Sequence, residues 1–228
     1  MVQNILNDTD SDPVNSIDDT VEAAQVAEII KTTYFAWMSN GKDWPFLRTL
    51  STFTGLADTT TPTKMQMPEG MGKIFWVKYN GVEVTYLPPK DFHNLISSRV
   101  ETTGVVDANG YVINADPVYW TTYDDNYVWF DGYDSDVEST LVSANCEVYA
   151  VVAPTWTASD SFVPTLPEKM FPTLLADAKG TAFLVLKQQA NAKEEAVARR
   201  GKVKWQREAA RANEAEPRSN TGVSYGRK

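Results

Sequence analysis

The sequence predicts an α+β protein in which a small helical bundle carries an inserted antiparallel β domain and a C-terminal helical extension arm. Apolar residues recur at helical spacing towards both ends of the 228 residues, and strand-like alternation with turn signals fills the middle. A hydrophobic fraction of 43%, with 11% aromatic residues, is enough for a substantial core. The chain is therefore globular.

These patterns divide the chain into four predicted parts. Residues 1–16 form a flexible acidic leader, and residues 17–52 together with 165–190 form the helical bundle domain. Residues 53–164 form the inserted β domain, and residues 191–228 form a basic C-terminal docking arm and tail. The simplest packing closes the two helical segments on each other and leaves the β domain projecting from them.

The N-terminal part begins with Asn, Asp and Ser residues, from which we expect a mobile leader. Ser16 is placed to cap a helix over about 17–38. One stripe of this helix is expected to be buried: Val26, Ile30, Thr33 and Trp37. Asp43 and Pro45 then predict a second, short helix that ends near residue 52.

The β domain opens with a hairpin. Asn80 and Gly81 lie between strand-like runs over 73–79 and 82–87, and this dipeptide is the strongest short hairpin signal in a sequence. The prolines that follow predict a short helix over 88–96.

A second hairpin joins strands over 119–123 and 127–130 through the turn-forming triplet 124–126. A further strand covers 147–152. The single cysteine, Cys146, shares the even-numbered face of that strand with Val148 and excludes an internal disulfide. We interpret it as a buried core residue, not a nucleophile.

Helix returns after Pro164, where one stripe is apolar and Gly180 allows a neighbour to approach closely. Residues 193–216 contain strong helix formers but few apolar positions, and Gly201 interrupts them at a cost of about 1 kcal/mol. On its own, this arm is expected to be only partly helical.

Charge is distributed unevenly along the chain, whose net charge is -9. Residues 1–30 contain seven acids and no Lys or Arg, whereas residues 193–228 contain ten bases and five acids. Such asymmetry is typical of segments that contact partners, although solvated ends are an equally good interpretation of the acidic one.

Few residues suit catalysis. His93 is the single histidine, so nucleophile–base pairs and most zinc sites have no second member. The sequence contains no phosphate-binding glycine loop, and its apolar runs are too short to span a bilayer. The first residues have neither a positive leader nor an apolar stretch, so we expect no signal peptide. We therefore expect no enzyme activity, no catalytic residue, no cofactor and no metal, in a protein of a reducing, aqueous compartment without membrane contact.

Two acidic groups are candidate sites. The cluster Asp131, Asp134, Asp136 and Glu138 lacks the spacing of a calcium loop, so we interpret these residues as solvated loop acids. Asp124 and Asp125 are adjacent in a turn and point to water, which argues against a glycosidase pair. The many aromatic residues are assigned to the core by default.

The basic arm favours a docking role. Its candidate contact residues surround Val203: Arg199, Arg200, Lys202, Lys204, Trp205, Arg207 and Arg211. Nucleic acid is a possible partner, but interleaved glutamates and the acidic remainder of the chain oppose it. A protein groove that receives Trp205 as an anchor and pairs with the arginines fits better.

Four phrases occur in the order found in a known family: DWPFLR at 43–48, the strand and Pro-Pro ending over 79–92, the aspartate-centred hairpin over 119–133, and LPEKMFP at 166–172. With this layout the chain resembles the adaptor, or head-tail connector, proteins of tailed bacteriophages. The resemblance covers roughly residues 20–190 and rests on structural motifs.

The resemblance implies a virion protein of the head-tail junction, assembled in the host cytoplasm. Copies of it would form a dodecameric ring on the portal protein and contact a tail nozzle or tail tube protein. Genomic DNA would pass through the lumen without specific binding. The arm would run along the portal, with Arg199, Arg200, Lys204, Trp205 and Arg207 as contacts.

Two other functions remain open at this point. A tail-associated binding module could recognise host glycans through aromatic residues of the β domain. A hydrolase that uses carboxylates ranks last, because no pair of acids is suitably placed.

Overall fold

The computed structural model describes residues 1–9, 11–39, 43–56, 61–124, 126–134 and 146–215. The chain divides into two compact units. The first, here called the helical unit, consists of the described residues within 1–47 and 154–215, and the second, the β unit, consists of the described residues within 48–153. Helices in one unit and a large sheet in the other confirm the predicted α+β class.

The helical unit begins with helix α1, Val2–Asp8. We expected a flexible leader over 1–16, but Ile5 and Leu6 of this helix are fully buried in a cluster with Val26 and Ala178. The backbone N–H of Val14 also donates to Gln3 Oε1 at 2.9 Å. Two adjacent apolar side chains therefore fix a segment whose polar composition suggested mobility.

Helix α2 spans Val21–Met38 and begins four residues later than predicted. Thr20, not Ser16, is its N-cap, and Thr20 Oγ1 accepts from the Ala23 N–H at 3.1 Å. Ser16 instead lies in a turn closed by the Asp19 carboxylate, which accepts from the Asn15 and Ser16 N–H groups. The predicted stripe is confirmed, because these residues are buried: Val26, Ile30, Thr33 and Trp37.

The predicted second helix is wrong beyond residue 47. Only one 3₁₀ turn forms, over Pro45–Leu47, and the chain then enters strand β1, Arg48–Ser51. Strand β1 pairs antiparallel with β10, Cys146–Val152. The β-branched and polar residues after Leu47 suit a pleated strand, and this pairing overrides the local helix start.

Two long helices complete the helical unit. Helix α4 spans Phe171–Lys187 and helix α5 spans Ala192–Ala215. Helix α5 continues through Gly201 and packs on α4. Tertiary packing therefore stabilises a helix for which the sequence alone predicts only partial order.

The β unit contains the predicted hairpins and the predicted helix, α3, Pro89–Ser98. Its remaining strands are, in chain order, β2 Thr54–Gly55, β3 Lys64–Gln66, β4 Met71–Tyr79, β5 Val82–Tyr86, β6 Val112–Ile113, β7 Tyr119–Thr121, β8 Tyr127–Phe130 and β9 Gly132–Tyr133. Among the described residues, eight strands form one sheet in the order β1-β10-β4-β5-β7-β8-β3-β2.

The sheet is antiparallel except where α3 connects β5 to β7, which pair in parallel. Strands β6 and β9 form a separate parallel pair. The first two strands, β1 and β2, lie at opposite ends of the large sheet although only residues 52 and 53 separate them. The sheet must therefore curl, and Phe53 in this link is buried with Phe130 in its core.

The first hairpin turn is formed as predicted. Asn80 and Gly81 both have positive φ, 47° and 76°, and join β4 to β5. These are the angles of the tight turns that match the twist of a two-stranded ribbon. The second hairpin pairs Trp120 with Phe130 across β7 and β8, and its turn includes Asp125, which lies outside the described residues.

Asp131 corrects the interpretation of the acidic cluster. It is 2% exposed, and its Oδ2 lies 2.7 Å from Arg99 Nη2. Its Oδ1 accepts from the Val118 and Tyr119 N–H groups, each at 2.8 Å. Asp131 is therefore a buried structural carboxylate, because backbone donors and a guanidinium replace the water it gives up. Asp136 and Glu138 lie outside the described residues.

Candidate docking surfaces

Helix α5 buries one face against the rest of the helical unit. Ala198, Trp205 and Ala209 are 2%, 6% and 3% exposed. The Trp205 indole Nε1–H donates to Thr173 Oγ1 on α4 at 3.1 Å. The sequence interpretation made Trp205 an anchor for a partner, but its ring is already occupied within its own unit. The role of Trp205 as a docking anchor stays a prediction, and the burial of its ring argues against it.

The Lys202 side chain lies on the side of α5 that packs against α4 and α2. Its Nζ lies 2.6 Å from Asp177 Oδ2 and 5.7 Å from the centroid of the Trp37 ring. Trp37 Nε1 donates to the same carboxylate oxygen at 2.8 Å. Asp177 on α4 thus links α5 to α2, and Lys202 stabilises the packing of these helices.

The opposite side of α5 is exposed and strongly basic. We call it the basic face; it consists of Arg199, Arg200, Val203, Lys204, Arg207 and Arg211. These residues, with Glu208, line an open cleft of about 610 Å³. Glu208 is engaged elsewhere, 3.2 Å from Lys169 Nζ. Five of the seven predicted docking residues therefore share one face, and Lys202 and Trp205 do not.

The basic face keeps its charge available. Within the described residues its four arginines and Lys204 form no ion pair. Lys204 Nζ lies 4.4 Å from the centroid of the Trp205 ring, a cation–π contact that does not neutralise the lysine. Side chains on successive turns of one helix face lie close together, so their fields add.

A second surface of the helical unit was not found from the sequence. It is a groove of about 570 Å³ between the N-terminal half of α2, the loop before it and the segment after β10. We call it the acidic groove; its charged side chains are Asp18, Glu28, Lys31 and Asp160. Aromatic side chains of Trp156 and Phe162, with ring centroids 4.9 Å apart, form part of its wall.

The acidic groove brings together segments that are far apart in the chain. The Ile17 N–H donates to Asp160 Oδ1 at 2.8 Å, and Trp156 packs on Tyr34 with ring centroids 5.9 Å apart. Only the cluster of acids in residues 1–30 signalled this surface in the sequence. Its aromatic wall comes from a stretch about which periodicity says nothing.

Aromatic residues of the β unit are partly covered by cations. Arg48 lies 4.5 Å above the Phe75 ring, Lys78 4.8 Å from the Trp76 centroid, and Lys64 3.7 Å from that of Tyr127. A sugar ring that stacked on these faces would have to displace the cations. The arrangement gives the glycan-binding alternative no specific support, and that alternative stays a prediction.

The residues with catalytic potential are dispersed. His93 is exposed on α3, and Cys146 is fully buried, where desolvation raises the pKa of its thiol to about 12. In the described ranges no three His, Cys, Asp or Glu side chains are grouped as a metal site. No helix in that part of the chain is long and apolar enough to cross a membrane.

A scan against protein-family models gives no match to this sequence, and a search of curated proteins gives none either.

Proposed function

We propose that the chain is a non-catalytic structural subunit of a phage head-tail junction, an adaptor that joins the portal protein to the tail. Copies of it would form a dodecameric ring that lines the DNA exit channel. Its other partners would be a tail nozzle or tail tube protein and neighbouring copies of itself. Genomic DNA would pass the ring without specific binding.

The observation that carries this proposal is the basic face of α5. It presents four arginines and one lysine, all exposed, on a helix whose other side is fixed by Trp205 and Gly201. The helix backbone that carries these cations is already ordered, so binding a partner costs this chain little backbone conformational entropy. Arginine is also the cation best suited to pair with carboxylates at protein interfaces.

The two-unit organisation is consistent with the same role. Among the described residues, those of the β unit lie within 48–153, and the segments before and after that range belong to the helical unit. One unit can therefore dock on one partner while the other contacts a second, as a connector requires. In this proposal the helical unit contacts the portal and the β unit contacts the tail.

A binding experiment with the cognate portal protein tests the proposal. Purified chain mixed with portal rings should co-elute in size-exclusion chromatography and show a second ring in negative-stain micrographs. Reversing two charges of the basic face, Arg200→Glu with Arg207→Glu, should weaken docking by about tenfold or more, because interfacial attraction becomes repulsion.

The matched control reverses two exposed lysines outside the basic face, Lys90→Glu with Lys187→Glu, and changes the net charge equally. It should dock like the unmodified chain. Absence of any portal complex at low salt would refute the adaptor proposal. Equal loss in both variants would show that overall charge, not the basic face, drives the contact.

A further inference from the structure

We propose that the acidic groove of one copy receives the basic face of α5 from a second copy, so that the free protein associates head to tail. This goes beyond portal docking and does not depend on it. Two observations identify the second copy as the occupant. The groove suits cationic side chains, and the basic face of the same chain presents them on one side of α5.

The groove is built to attract a cation. Its lining includes three carboxylates, of Asp18, Glu28 and Asp160, against Lys31 and the N-terminal ammonium of Met1. Lys31 is already held by Glu28, with Nζ 3.1 Å from Oε1. The indole of Trp156 lies beside these acids, and a guanidinium packs well on an aromatic face next to a carboxylate. A volume of about 570 Å³ lies within the range of well-formed binding clefts.

The basic face offers the complementary chemistry. Its arginines surround Val203, which is 42% exposed, and the groove in turn exposes Val163 to 71%. An apolar contact framed by ion pairs is the usual anatomy of a protein interface. The long side chains of Arg200 and Arg207 can enter a groove, whereas a flat acidic surface would contact only their ends.

Both surfaces belong to the helical unit, and the basic face of one copy does not reach the acidic groove of that same copy. No described residue of α5 lines the groove, and α5 is fixed on α4 through Trp205, Gly201 and Lys202 with its basic face outward. The contact must therefore join two copies. Because the two surfaces share no residue, a pair of copies still has one free groove at one end and one free basic face at the other. The association can therefore repeat as a ring or an open chain.

Portal docking and this association of free copies use the same basic face and must compete, so neighbouring copies in a portal-bound ring would contact each other through other surfaces. The acidic groove separates them, because only self-association needs it. A groove variant, Asp18→Lys with Glu28→Lys, should lose self-association and keep portal docking. The basic-face variant, Arg200→Glu with Arg207→Glu, should lose both. Failure of the portal proposal is therefore distinguishable from failure of this one.

Sedimentation velocity of the full chain over a range of concentrations is the primary measurement. The unmodified protein should associate at about 0.05 M salt and dissociate at about 0.5 M, where charges are screened within a few ångströms. Each variant alone should associate about tenfold more weakly. A control variant, Glu69→Lys with Glu101→Lys, reverses two exposed acids of the β unit and should associate like the unmodified protein.

Mixing the two variants gives the decisive result. The groove variant keeps an unmodified basic face, and the basic-face variant keeps an unmodified acidic groove. An equimolar mixture should therefore recover association that neither variant shows alone. Circular dichroism must show both variants folded. A monomeric unmodified protein at low salt, or a mixture that stays monomeric, would overturn the proposal.

Discussion

Gly201 of α5 lies directly against Thr173 of α4. A Cβ atom on Gly201 would come within 2.2 Å of Thr173 Cγ2 and 2.4 Å of Thr173 Oγ1. Glycine disfavours a helix interior by about 1 kcal/mol relative to alanine. Glycine at this position is therefore explained by the close approach of α4 and α5, because the helix propensity of α5 alone would favour alanine.

Replacing Gly201 by alanine should destabilise the protein although it improves helix propensity. The new methyl group must displace Thr173, and overpacking of this kind costs about 1–3 kcal/mol. Urea unfolding followed by circular dichroism measures the change. Arg200→Ala, on the exposed side of the same helix, should change stability by less than about 0.5 kcal/mol. A Gly201→Ala protein more stable than the unmodified one would contradict the packing.

Trp205→Ala should unfold or strongly destabilise the helical unit. It removes a large buried ring and leaves Thr173 Oγ1 without its indole donor, at a cost of about 3–5 kcal/mol. Trp205→Phe keeps most of the ring and should cost less. Thermal unfolding of both variants gives the order. A Trp205→Ala protein that is fully stable but cannot bind the portal would restore the anchor interpretation.

The elements that the sequence predicted well are those whose signals are local. The turn at Asn80-Gly81 depends on two adjacent residues, and the stripe of α2 depends on spacing within one helix. The strand after Leu47 and the burial of Trp205 depend instead on partners more than 30 residues away, Val148 and Thr173 among them. No local pattern reports such partners.

Of the two candidate surfaces, the basic face follows from local spacing in the sequence, whereas the acidic groove depends on contacts between residues far apart in the chain. A helical wheel separates Arg200 and Arg207 from Trp205, because residues seven apart lie on nearly the same side and those five apart do not. The sequence could therefore have assigned Trp205 to the opposite side of α5 from these arginines. The acidic groove could not be found in this way, since Ile17 and Asp160 meet only through the fold.

The Arg99–Asp131 pair should be essential to the β unit. Asp131→Ala would leave the partly buried Arg99 guanidinium unpaired and the Val118 and Tyr119 N–H groups without an acceptor. Removing one member of such a pair costs about 3–5 kcal/mol. Chemical unfolding measures this, and Glu101→Ala, an exposed acid of the same unit, is the control. A loss below about 1 kcal/mol would show that the pair is solvated.

Because of Cys146, the free energy of unfolding should decrease as the pH becomes alkaline. Burial raises the pKa of its thiol from 9.0 to about 12, so the folded state holds the neutral thiol. The resulting stabilisation is complete below pH 9 and is lost as pH rises from there to about 12, because the unfolded chain ionises first. Desolvation also raises the pKa of the buried Tyr34 phenol above its ordinary value of 10.0, so this tyrosine too contributes stability that is lost at alkaline pH.

Comparison with Cys146→Ala separates the contribution of the thiol to the pH dependence of stability from that of the tyrosines. The stability advantage of the unmodified protein should be constant from about pH 7 to about pH 8.5 and should shrink at higher pH. At neutral pH a thiol reagent should label Cys146 only as fast as the β unit opens, because the reactive thiolate is absent from the folded state. Immediate labelling of the native protein, at the rate of a small exposed thiol, would show that Cys146 is accessible and that its pKa is not held up by burial.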